Sequence, residues 1–392
     1  MVFNVAAFFT ALHVLITRRP VRARRMAYTA VLALTFGSVF VFTRLGLLLD
    51  ELLFRNYRKV SMIQPLFIIG FPRSGTTILQ KLLSLDEENF ASIALHQSLM
   101  PSLTLRKVIG ALAPVDRALG GLGTKLLKSF ETWLSRGLGD IHPWAFKEPE
   151  EDILLAVHSF ATGFVYLCVP FIASMRQRGH HVILIDTLPV TQRLRYLRFY
   201  ESLVKRHLYF ASGSRRLLSK NSVLIPALHS HIAQFPDAKF VALVRRPHEC
   251  LPSMMSLTHT IWQKYERDIA KDSPEMLECF NMGTHGLLLL ADAMDSLPPE
   301  RLRVIRYEDF IADPRGTIED IYRWMDMPIS PTFLAKLEAR LIKEQSYRSK
   351  HRYSLEEFGL DPTHFARELD AVYRRFVWSL PAKSEPAQMW PD

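Results

Sequence analysis

The fold of this chain is decided at residues 65–77, which read PLFIIGFPRSGTT. The first part is a short, continuous apolar run that ends at Gly70, which is typical of a strand buried in a parallel sheet. The stretch from Ile78 to Leu85 follows with apolar residues at helical spacing. A strand, a glycine-containing loop and a helix in this order begin a βαβ unit. We therefore predict an α/β fold with a mostly parallel sheet flanked by helices.

Three further apolar runs predict strands of the same sheet: His181–Ile185, Lys239–Val244 and Leu302–Tyr307. Long stretches with helical periodicity separate these runs. Strands that alternate with helices favour a P-loop-like sheet with helical insertions.

The composition narrows the class of protein. Of the 392 residues, 48% are hydrophobic and 22% are charged, which indicates a folded chain. The net charge of +10 suits a polyanionic ligand, a nucleic acid or an anionic membrane, without choosing among them. Nucleic-acid binding has no support beyond this charge, because the basic residues are scattered along the chain. The three cysteines are far apart, which argues against a disulfide framework.

The loop after the first strand keeps the two glycines of a phosphate-binding loop, Gly70 and Gly75. Glycines let the backbone turn its N–H groups toward phosphate oxygens, and the helix that begins near Thr76 adds the positive end of its dipole. A loop that hydrolyses ATP or GTP needs a lysine directly after the second glycine, and here that residue is Thr76. A cation appears inside the loop instead, at Arg73. The sequence predicts a site for an anion that needs no metal.

A second group of phosphate ligands is predicted where the run Lys239–Val244 ends. Arg245 follows this run directly, and Ser253 lies eight positions further on. An arginine at the carboxyl end of a strand and a serine on the next helix can converge on one phosphate. Arg246 is a weaker candidate. Taken singly, such residues are usually a surface arginine and a helix-capping serine.

Together these motifs resemble the membrane-linked, bacterial-type branch of the sulfotransferase superfamily, whose nucleotide loop reads Pro-Arg-Ser-Gly-Thr-Thr as residues 72–77 do. These enzymes use 3′-phosphoadenosine-5′-phosphosulfate (PAPS) as co-substrate and release adenosine 3′,5′-bisphosphate (PAP). The resemblance implies that Arg245 and Ser253 bind the 3′-phosphate. It also implies that five loop residues hold the 5′-phosphosulfate end: Arg73, Ser74, Gly75, Thr76 and Thr77.

The resemblance extends to further residues around the nucleotide. The run Leu217–Lys220 resembles the lysine-bearing strand of the family, so Lys220 is expected to reach the leaving phosphate or the sulfonyl group. The run Arg306–Phe310 resembles the strand and helix that close the core. Arg348 and Lys350, in a basic C-terminal segment, are expected to cover the nucleotide. The resemblance implies no metal.

Transfer of a sulfonyl group needs a base near the acceptor hydroxyl, and the sequence leaves two candidates open. His96 lies on the segment where several related enzymes place the base, and a neutral imidazole suits proton transfer near pH 7. Its neighbour Gln97 occupies a position that is often acidic in similar enzymes. Glu150 lies in an acidic stretch like one that the family places near its acceptor pocket. We interpret Glu151 and Asp152 as capping and dipole residues of a helix start.

The first 60 residues differ from the rest of the chain. Two apolar runs, Val2–Ile16 and Met26–Thr43, enclose a segment with five arginines, and Leu45–Tyr57 is predicted as an amphipathic connecting helix. The second run is just long enough to cross a bilayer at about 1.5 Å per residue. Under the positive-inside rule the arginines would lie in the cytoplasm. The alternative is two buried helices that cover the α/β domain, with a solvated basic loop between them.

These patterns predict three regions. Residues 1–60 form a membrane-associating segment, residues 61–380 a sulfotransferase domain, and residues 381–392 a flexible tail. A helical lid for the acceptor is predicted at about residues 100–175, which are rich in Leu, Phe and Trp. The predicted location is a membrane with the catalytic domain in the cytoplasm, or in the Golgi lumen if the chain is eukaryotic.

The favoured hypothesis is therefore a PAPS-dependent sulfotransferase that modifies a hydroxyl of a lipid, a glycan or another small alcohol or phenol. A P-loop kinase or NTPase is one alternative. It would need the lysine missing after Gly75 and an acid to hold magnesium, for which Asp186 is the candidate. A non-catalytic, membrane-anchored nucleotide-binding protein is the other alternative, and it would not need a second phosphate site.

Overall fold

The computed structural model describes residues 3–18, 20–135, 145–160, 185–211, 215–264, 266–345 and 353–379. The chain divides into two compact units. The first comprises Met1–Met62, Ser92–Arg215 and Thr260–Asp268, and the second comprises Ile63–Ala91, Arg216–His259 and Ile269–Asp392.

A five-stranded sheet is the centre of the second unit. Its strands are β1 (Leu66–Gly70), β2 (Phe90–Ser92), β3 (Arg216–Asn221), β4 (Lys239–Val244) and β5 (Leu302–Arg306). The order across the sheet is β2-β3-β1-β4-β5, and β1 pairs in parallel with both β3 and β4, as β4 does with β5. The predicted mostly parallel α/β sheet is confirmed.

Two of the predicted strands differ in extent from the elements that the structure describes. Of the run His181–Ile185, residues 181–184 lie outside the described residues, and Ile185 begins a 3-10 helix, Ile185–Thr187. The predicted run Leu302–Tyr307 ends as a strand at Arg306, because Tyr307 begins a helix. The short strand β2 was not predicted, since its three residues contain no apolar run.

The helices carry the remaining regular structure. In chain order they are α1 (Val5–Thr17), α2 (Ala23–Leu53), α3 (Thr76–Leu83), α4 (Leu95–Leu99), α5 (Leu103–Ala118), α6 (Leu122–Ser135), α7 (Ile153–Val157), α8 (Val190–Phe210), α9 (Leu228–Gln234), α10 (Pro247–Trp262), α11 (Pro274–Ala293), α12 (Tyr307–Ala312), α13 (Pro314–Trp324), α14 (Pro331–Gln345), α15 (Pro362–Glu368) and α16 (Asp370–Arg375).

The core of the second unit lies against β1 and β4. Leu66 and Ile68 of β1 and Val241 of β4 are fully buried, together with apolar side chains of α3, α12, α13 and α14. Fully burying one such side chain contributes roughly 1.5–3 kcal/mol. The continuous apolar runs in the sequence therefore correspond to the two central strands, whose faces are both covered.

The end of β1 leaves no space for a side chain. Gly70 has a φ of +156°, and a Cβ at this position would lie 2.4 Å from the carbonyl oxygen of Leu243. The parallel register pairs these same two residues. The added Cβ is fixed to the backbone of β1, and the oxygen that it meets belongs to the backbone of β4. A side-chain rotation therefore cannot relieve the clash.

We expect Gly70→Ala to lower the free energy of unfolding by about 2 kcal/mol or more, because β1 and β4 must separate to admit the methyl group. Denaturant unfolding measures the difference. Gly110→Ala in α5 is the matched control, since an added Cβ there meets nothing within 4 Å. That substitution should stabilise by about 0.5–1 kcal/mol. Equal stabilities of Gly70→Ala and the parent would contradict this prediction.

The N-terminal segment differs from its prediction in one respect. The connecting helix predicted at Leu45–Tyr57 is not a separate element, because α2 runs without a break from Ala23 to Leu53. Leucine and arginine sustain a helix, and Gly46 is accommodated since its missing side chain leaves room for Ser102. A 3-10 helix, Arg55–Lys59, follows.

Helix α2 is the one helix among the described residues with the length and composition to cross a bilayer, with a mean hydropathy of 1.9 in its most apolar window. One arginine of the basic segment is buried at the start of α2, whereas the alternative for this region assumed that the whole segment is a solvated loop. Arg25 is 1% exposed and pairs with Glu266. Its Nε also donates to the carbonyl oxygen of Leu15 at 2.9 Å, which joins the end of α1 to the start of α2.

Candidate active site

The predicted nucleotide ligands follow or end three neighbouring strands of the second unit. Residues 71–75 follow β1, Lys220 lies near the end of β3, and Arg245 follows β4 directly. Because β1 lies between β3 and β4 and all three are parallel, their carboxyl ends meet at one edge of the sheet. Ligands of open α/β sheets bind at such an edge.

The loop after β1 adopts a strained conformation that other residues of the site support. Arg73 has a φ of +71°, which costs a non-glycine residue of the order of 1–3 kcal/mol. The carbonyl oxygen of Arg73 accepts a hydrogen bond from Nη1 of Arg245 at 3.1 Å. The Nε of Arg73 donates to Oγ of Ser253 at 3.1 Å. The two phosphate motifs of the sequence are therefore one connected cluster, which we call the Arg73–Arg245–Ser253 cluster.

Glycine is required at the start of α3. Gly75 has a φ of +87°, and a Cβ there would lie 2.7 Å from the ring of Tyr307. Helix α3 begins directly after it, at Thr76. The N-terminal N–H groups of α3 therefore lie next to the loop, as an anion site requires.

Polar side chains of the loop fit an anionic ligand. Ser74 is fully buried, and within the described part of the chain its Oγ has no hydrogen-bond partner. Buried hydroxyls without a partner are rare, and a phosphate oxygen would accept this hydrogen bond. Oγ1 of Thr77 accepts from Nζ of Lys220 at 2.8 Å, and Lys220 is only 1% exposed. A buried ammonium group thus lies beside the loop.

Two residues that sequence reasoning missed surround Arg245. Nε of Arg245 donates to Oε2 of Glu249 at 2.9 Å, and its guanidinium lies 4.2 Å from the ring centroid of Tyr307. Glu249, four positions after Arg245 on α10, could have been found from helical spacing. Tyr307 could not, because its position depends on the pairing of β5 with β4. The weaker candidate Arg246 pairs with Glu249 at 3.5 Å and with Glu308 at 3.9 Å.

The two candidate bases belong to the first unit. Nδ1 of His96 lies 2.6 Å from the carbonyl oxygen of Phe146. Since a carbonyl only accepts, Nδ1 carries the proton, and the lone pair of the neutral ring is on Nε2. Burial lowers the pKa of His96, and the nearby charges of Arg106 and Lys147 lower it further. The ring is therefore neutral near pH 7, with an acceptor nitrogen of the kind a base needs.

The backbone joins the segment of Glu150 to that of His96. Ala94 and Pro149 form an antiparallel bridge, and the amide of Glu150 donates to the carbonyl oxygen of Ile93 at 2.9 Å. The side chain of Glu150 is 9% exposed, and its Oε1 accepts from the amide of Glu151 at 3.0 Å. The two candidates that the sequence presents as rivals thus lie on adjacent segments.

One interpretation of the acidic stretch was wrong in part. Asp152 stands at the N-cap position of α7, but its side chain makes no capping hydrogen bond. It accepts a hydrogen bond from the hydroxyl of Tyr200, and it is buried. Gln97, which follows His96 in the chain, makes a contact within its own helix start, because its Oε1 accepts from the amide of Ala94 at 3.0 Å.

The sequence profile of the sulfotransferase family matches residues 65–331. The chain belongs to the sulfotransferase family. The match includes β1 to β5, the Arg73–Arg245–Ser253 cluster and both candidate bases. This sulfotransferase is thus an enzyme that transfers a sulfonyl group to an acceptor hydroxyl. The kinase and the non-catalytic alternative lack this support, and Asp186 lies in a 3-10 helix.

Mycobacterial sulfotransferases are similar to it. Omega-hydroxy-beta-dihydromenaquinone-9 sulfotransferase Stf3 of Mycobacterium bovis is 23% identical over 337 residues, which are 82% of this chain and 78% of that protein. The crystal structure of STF9 from Mycobacterium avium matches with a TM-score of 0.71 at 17% identity, over 96% of this chain and 93% of that one. The crystal structure of STF1 from Mycobacterium tuberculosis matches with a TM-score of 0.64 at 20% identity, over 95% of this chain and 91% of that one. These structures share its fold.

Two predicted nucleotide ligands, Arg348 and Lys350, lie outside the described residues. Within the described ranges, no group of three or more His, Cys, Asp or Glu side chains has the arrangement to hold a metal ion. The roles of the individual site residues remain predictions, as do the domain boundaries.

Proposed function

We propose that this sulfotransferase takes its sulfonyl group from PAPS, without a metal, and transfers it to the hydroxyl of a lipid-like acceptor at a membrane. The Arg73–Arg245–Ser253 cluster carries the proposal. It supplies two guanidinium groups and a hydroxyl beside a loop with an orphaned hydroxyl at Ser74. Such a cluster matches a nucleotide with phosphates at both its 3′ and 5′ ends.

In this proposal the loop residues Arg73 to Thr77 bind the 5′-phosphosulfate end, and Arg245 and Ser253 bind the 3′-phosphate. Lys220 stabilises the negative charge that develops between the 5′-phosphate and the sulfonyl group. Its ammonium group is already held in place by Thr77, so little reorganisation is needed. Arg348 and Lys350 would cover the nucleotide.

The acceptor is proposed from two observations. Stf3, a relative over most of the chain, is named for a hydroxylated dihydromenaquinone, which is a lipid. The first unit of this chain carries the long apolar helix α2. We propose a membrane-associated enzyme with its catalytic domain in the cytoplasm, residues 1–60 as the membrane-associating segment and residues 100–175 as the acceptor lid.

Calorimetry with PAP and with ADP tests the choice of donor. In the presence of EDTA, we expect PAP to bind about 100-fold more tightly than ADP, because each charge-assisted hydrogen bond to the 3′-phosphate contributes roughly 1.5–3 kcal/mol. Equal affinities, or binding that needs magnesium, would contradict the proposal.

His96 is proposed as the base, with Nε2 as the atom that takes the proton of the acceptor. Because the pKa of His96 is lowered, the ring loses its proton below the ordinary value of about 6.5. We therefore expect kcat to stay constant above pH 6.5 and to fall at lower pH, as protonation occupies Nε2. A pH–rate profile measures this decrease of kcat at low pH.

His96→Ala should lower kcat by about 100-fold or more and leave the affinity for PAP unchanged. Glu150→Gln is the matched test of the second candidate, and we expect a smaller effect from it. If His96→Ala keeps its activity while Glu150→Gln loses it, Glu150 is the base.

A further inference from the structure

The N-terminal end of helix α2 is bonded to the body of the first unit. Arg25 is buried against Glu266, and Nε of its neighbour Arg22 pairs with the same carboxylate at 3.0 Å. Nε of Arg24 donates to the carbonyl oxygen of Lys264 at 3.0 Å. Three of the five arginines before and at the start of α2 therefore attach it to Lys264 and Glu266.

The C-terminal end of α2 is bonded to the same unit. Asp50 is fully buried and accepts from Nε of Arg206 and from the amide of Leu103, both at 3.0 Å. Its other oxygen accepts from the amide of Thr104 at 2.7 Å. Breaking a buried ion pair of this kind is strongly destabilising, because it leaves an uncompensated charge. Neither end of α2 is free to leave the unit.

These two attachments exclude a simple membrane span. Arg25 and Asp50 are about 37 Å apart along the helix, which exceeds the hydrocarbon core of a bilayer at about 30 Å. If α2 crossed the membrane, Glu266 and Arg206 would lie on opposite sides of it, and the unit would have to straddle the bilayer. Among the described residues no second helix is apolar enough for that. Helix α8, which carries Arg206, contains six Asp, Glu, Lys or Arg residues.

Helix α2 nevertheless presents an apolar face to the outside. Its buried positions lie on one side of the helix near its two ends: Arg25 and Thr29, and then Thr43, Gly46, Leu47 and Asp50. The opposite side carries the outer stripe, which we define as Leu34, Val41, Leu45, Leu48 and Leu52. Their side chains are between 53% and 72% exposed. The helix therefore packs on the unit along one side and shows aliphatic side chains along the other.

The neighbouring helices also expose apolar side chains and carry positive charge. Helices α5 and α6 and the turn between them expose Val108, Leu112, Val115, Leu119, Leu122 and Leu126. They also expose four basic residues: Lys107, Arg117, Lys125 and Lys128. Their acidic residues are both engaged, because Asp116 accepts from the amide of Gly123 at 2.7 Å and Glu131 from that of Phe146 at 2.8 Å. Exposed apolar side chains accompanied by exposed basic ones complement an anionic lipid surface.

We infer that the first unit binds one leaflet of an anionic bilayer through the outer stripe of α2 and the exposed faces of α5 and α6, with α2 lying in the membrane plane. This inference specifies the membrane association of the proposed function and rests on it. A lipid acceptor would then be taken from the same leaflet to which the enzyme is bound.

Labelling of the two ends of α2 tests the orientation. Val21→Cys, before the helix, and Asn56→Cys, after it, are exposed positions and are made separately in a Cys168→Ser background. A membrane-impermeant maleimide is applied to bacterial spheroplasts and to inverted membrane vesicles. We expect both positions to react in inverted vesicles and neither in spheroplasts. Reaction of one end in each preparation would mean that α2 spans the bilayer and would overturn the inference.

Flotation with vesicles of phosphatidylglycerol and phosphatidylcholine tests the binding face. We expect the pair Leu48→Glu and Leu52→Glu to weaken vesicle binding by about 100-fold, because two exposed leucines that would enter the bilayer become charged. The matched control is the pair Leu277→Glu and Ile342→Glu, which are exposed aliphatic residues of the second unit. The control should bind vesicles like the parent. Equal binding by both pairs would overturn the inference.

Self-association is the competing explanation of the apolar face. If the purified protein is a dimer that the Leu48→Glu and Leu52→Glu pair dissociates, and the parent does not bind vesicles, the face is a self-interface and the inference is wrong. PAP affinity, measured on every variant, reports that the nucleotide site is still folded. The same measurement separates the two proposals. If the parent binds vesicles but does not prefer PAP to ADP, the proposal that PAPS is the donor is refuted, and the inference that α2 lies in the membrane plane stands.

Discussion

Lys220→Met is expected to lower kcat about 1000-fold while the affinity for PAP stays within about threefold of the parent value. The ammonium group of Lys220 is buried beside the nucleotide loop, 2.8 Å from Oγ1 of Thr77. Methionine keeps the length and the apolar stem of the side chain but removes the charge. PAP lacks the sulfonyl group, so a cation that acts on the transferred group contributes little to PAP binding.

Steady-state kinetics and calorimetry on the same preparation measure the two effects. Lys239→Met is the matched control, because Lys239 begins β4 at the opposite edge of the sheet and its Nζ donates to the carbonyl oxygen of Trp324 at 3.0 Å. We expect its kcat to equal that of the parent. If PAP affinity falls together with kcat in Lys220→Met, Lys220 binds the 5′-phosphate and does not act on the sulfonyl group.

Arg245→Ala is expected to weaken PAP binding about 100-fold and to leave ADP binding almost unchanged, so that the preference for the 3′-phosphate is lost. Arg245 is bound to Arg73 and to Glu249 and lies against Tyr307, so its guanidinium is held in one orientation. Removing it takes away a charge-assisted, oriented donor. The effect is larger than that of an exposed arginine for this reason.

Arg246→Ala is the control, because Arg246 follows in the chain and is 35% exposed. We expect it to change PAP affinity by less than about threefold. Ser253→Ala should lower PAP affinity in the same direction as Arg245→Ala and by a smaller factor. Loss of PAP and ADP binding to the same extent in Arg245→Ala would show that this residue supports the loop and does not read the 3′-phosphate.

The nucleotide loop could be predicted because its signals are local. An apolar run, a glycine with φ above zero and a helix start are encoded by adjacent residues. The strand predicted at Lys239–Val244 agrees with the one observed, and the strand predicted at Pro65–Gly70 differs from the one observed only at Pro65. The base candidates could be named but not distinguished. Which nitrogen of His96 is free depends on the carbonyl of Phe146, fifty positions away.

The sequence by itself determined the α/β class, the loop at Gly70 and the order of the two phosphate motifs, since these depend on short-range spacing. Only the tertiary structure decided that Arg73 contacts Ser253, 180 positions away, and that both ends of α2 are held on one unit. Such contacts depend on which strands pair and which helices pack, and no local pattern encodes them. For the loop at Gly70, sequence therefore predicted an anion site, and the fold joined it to the second motif.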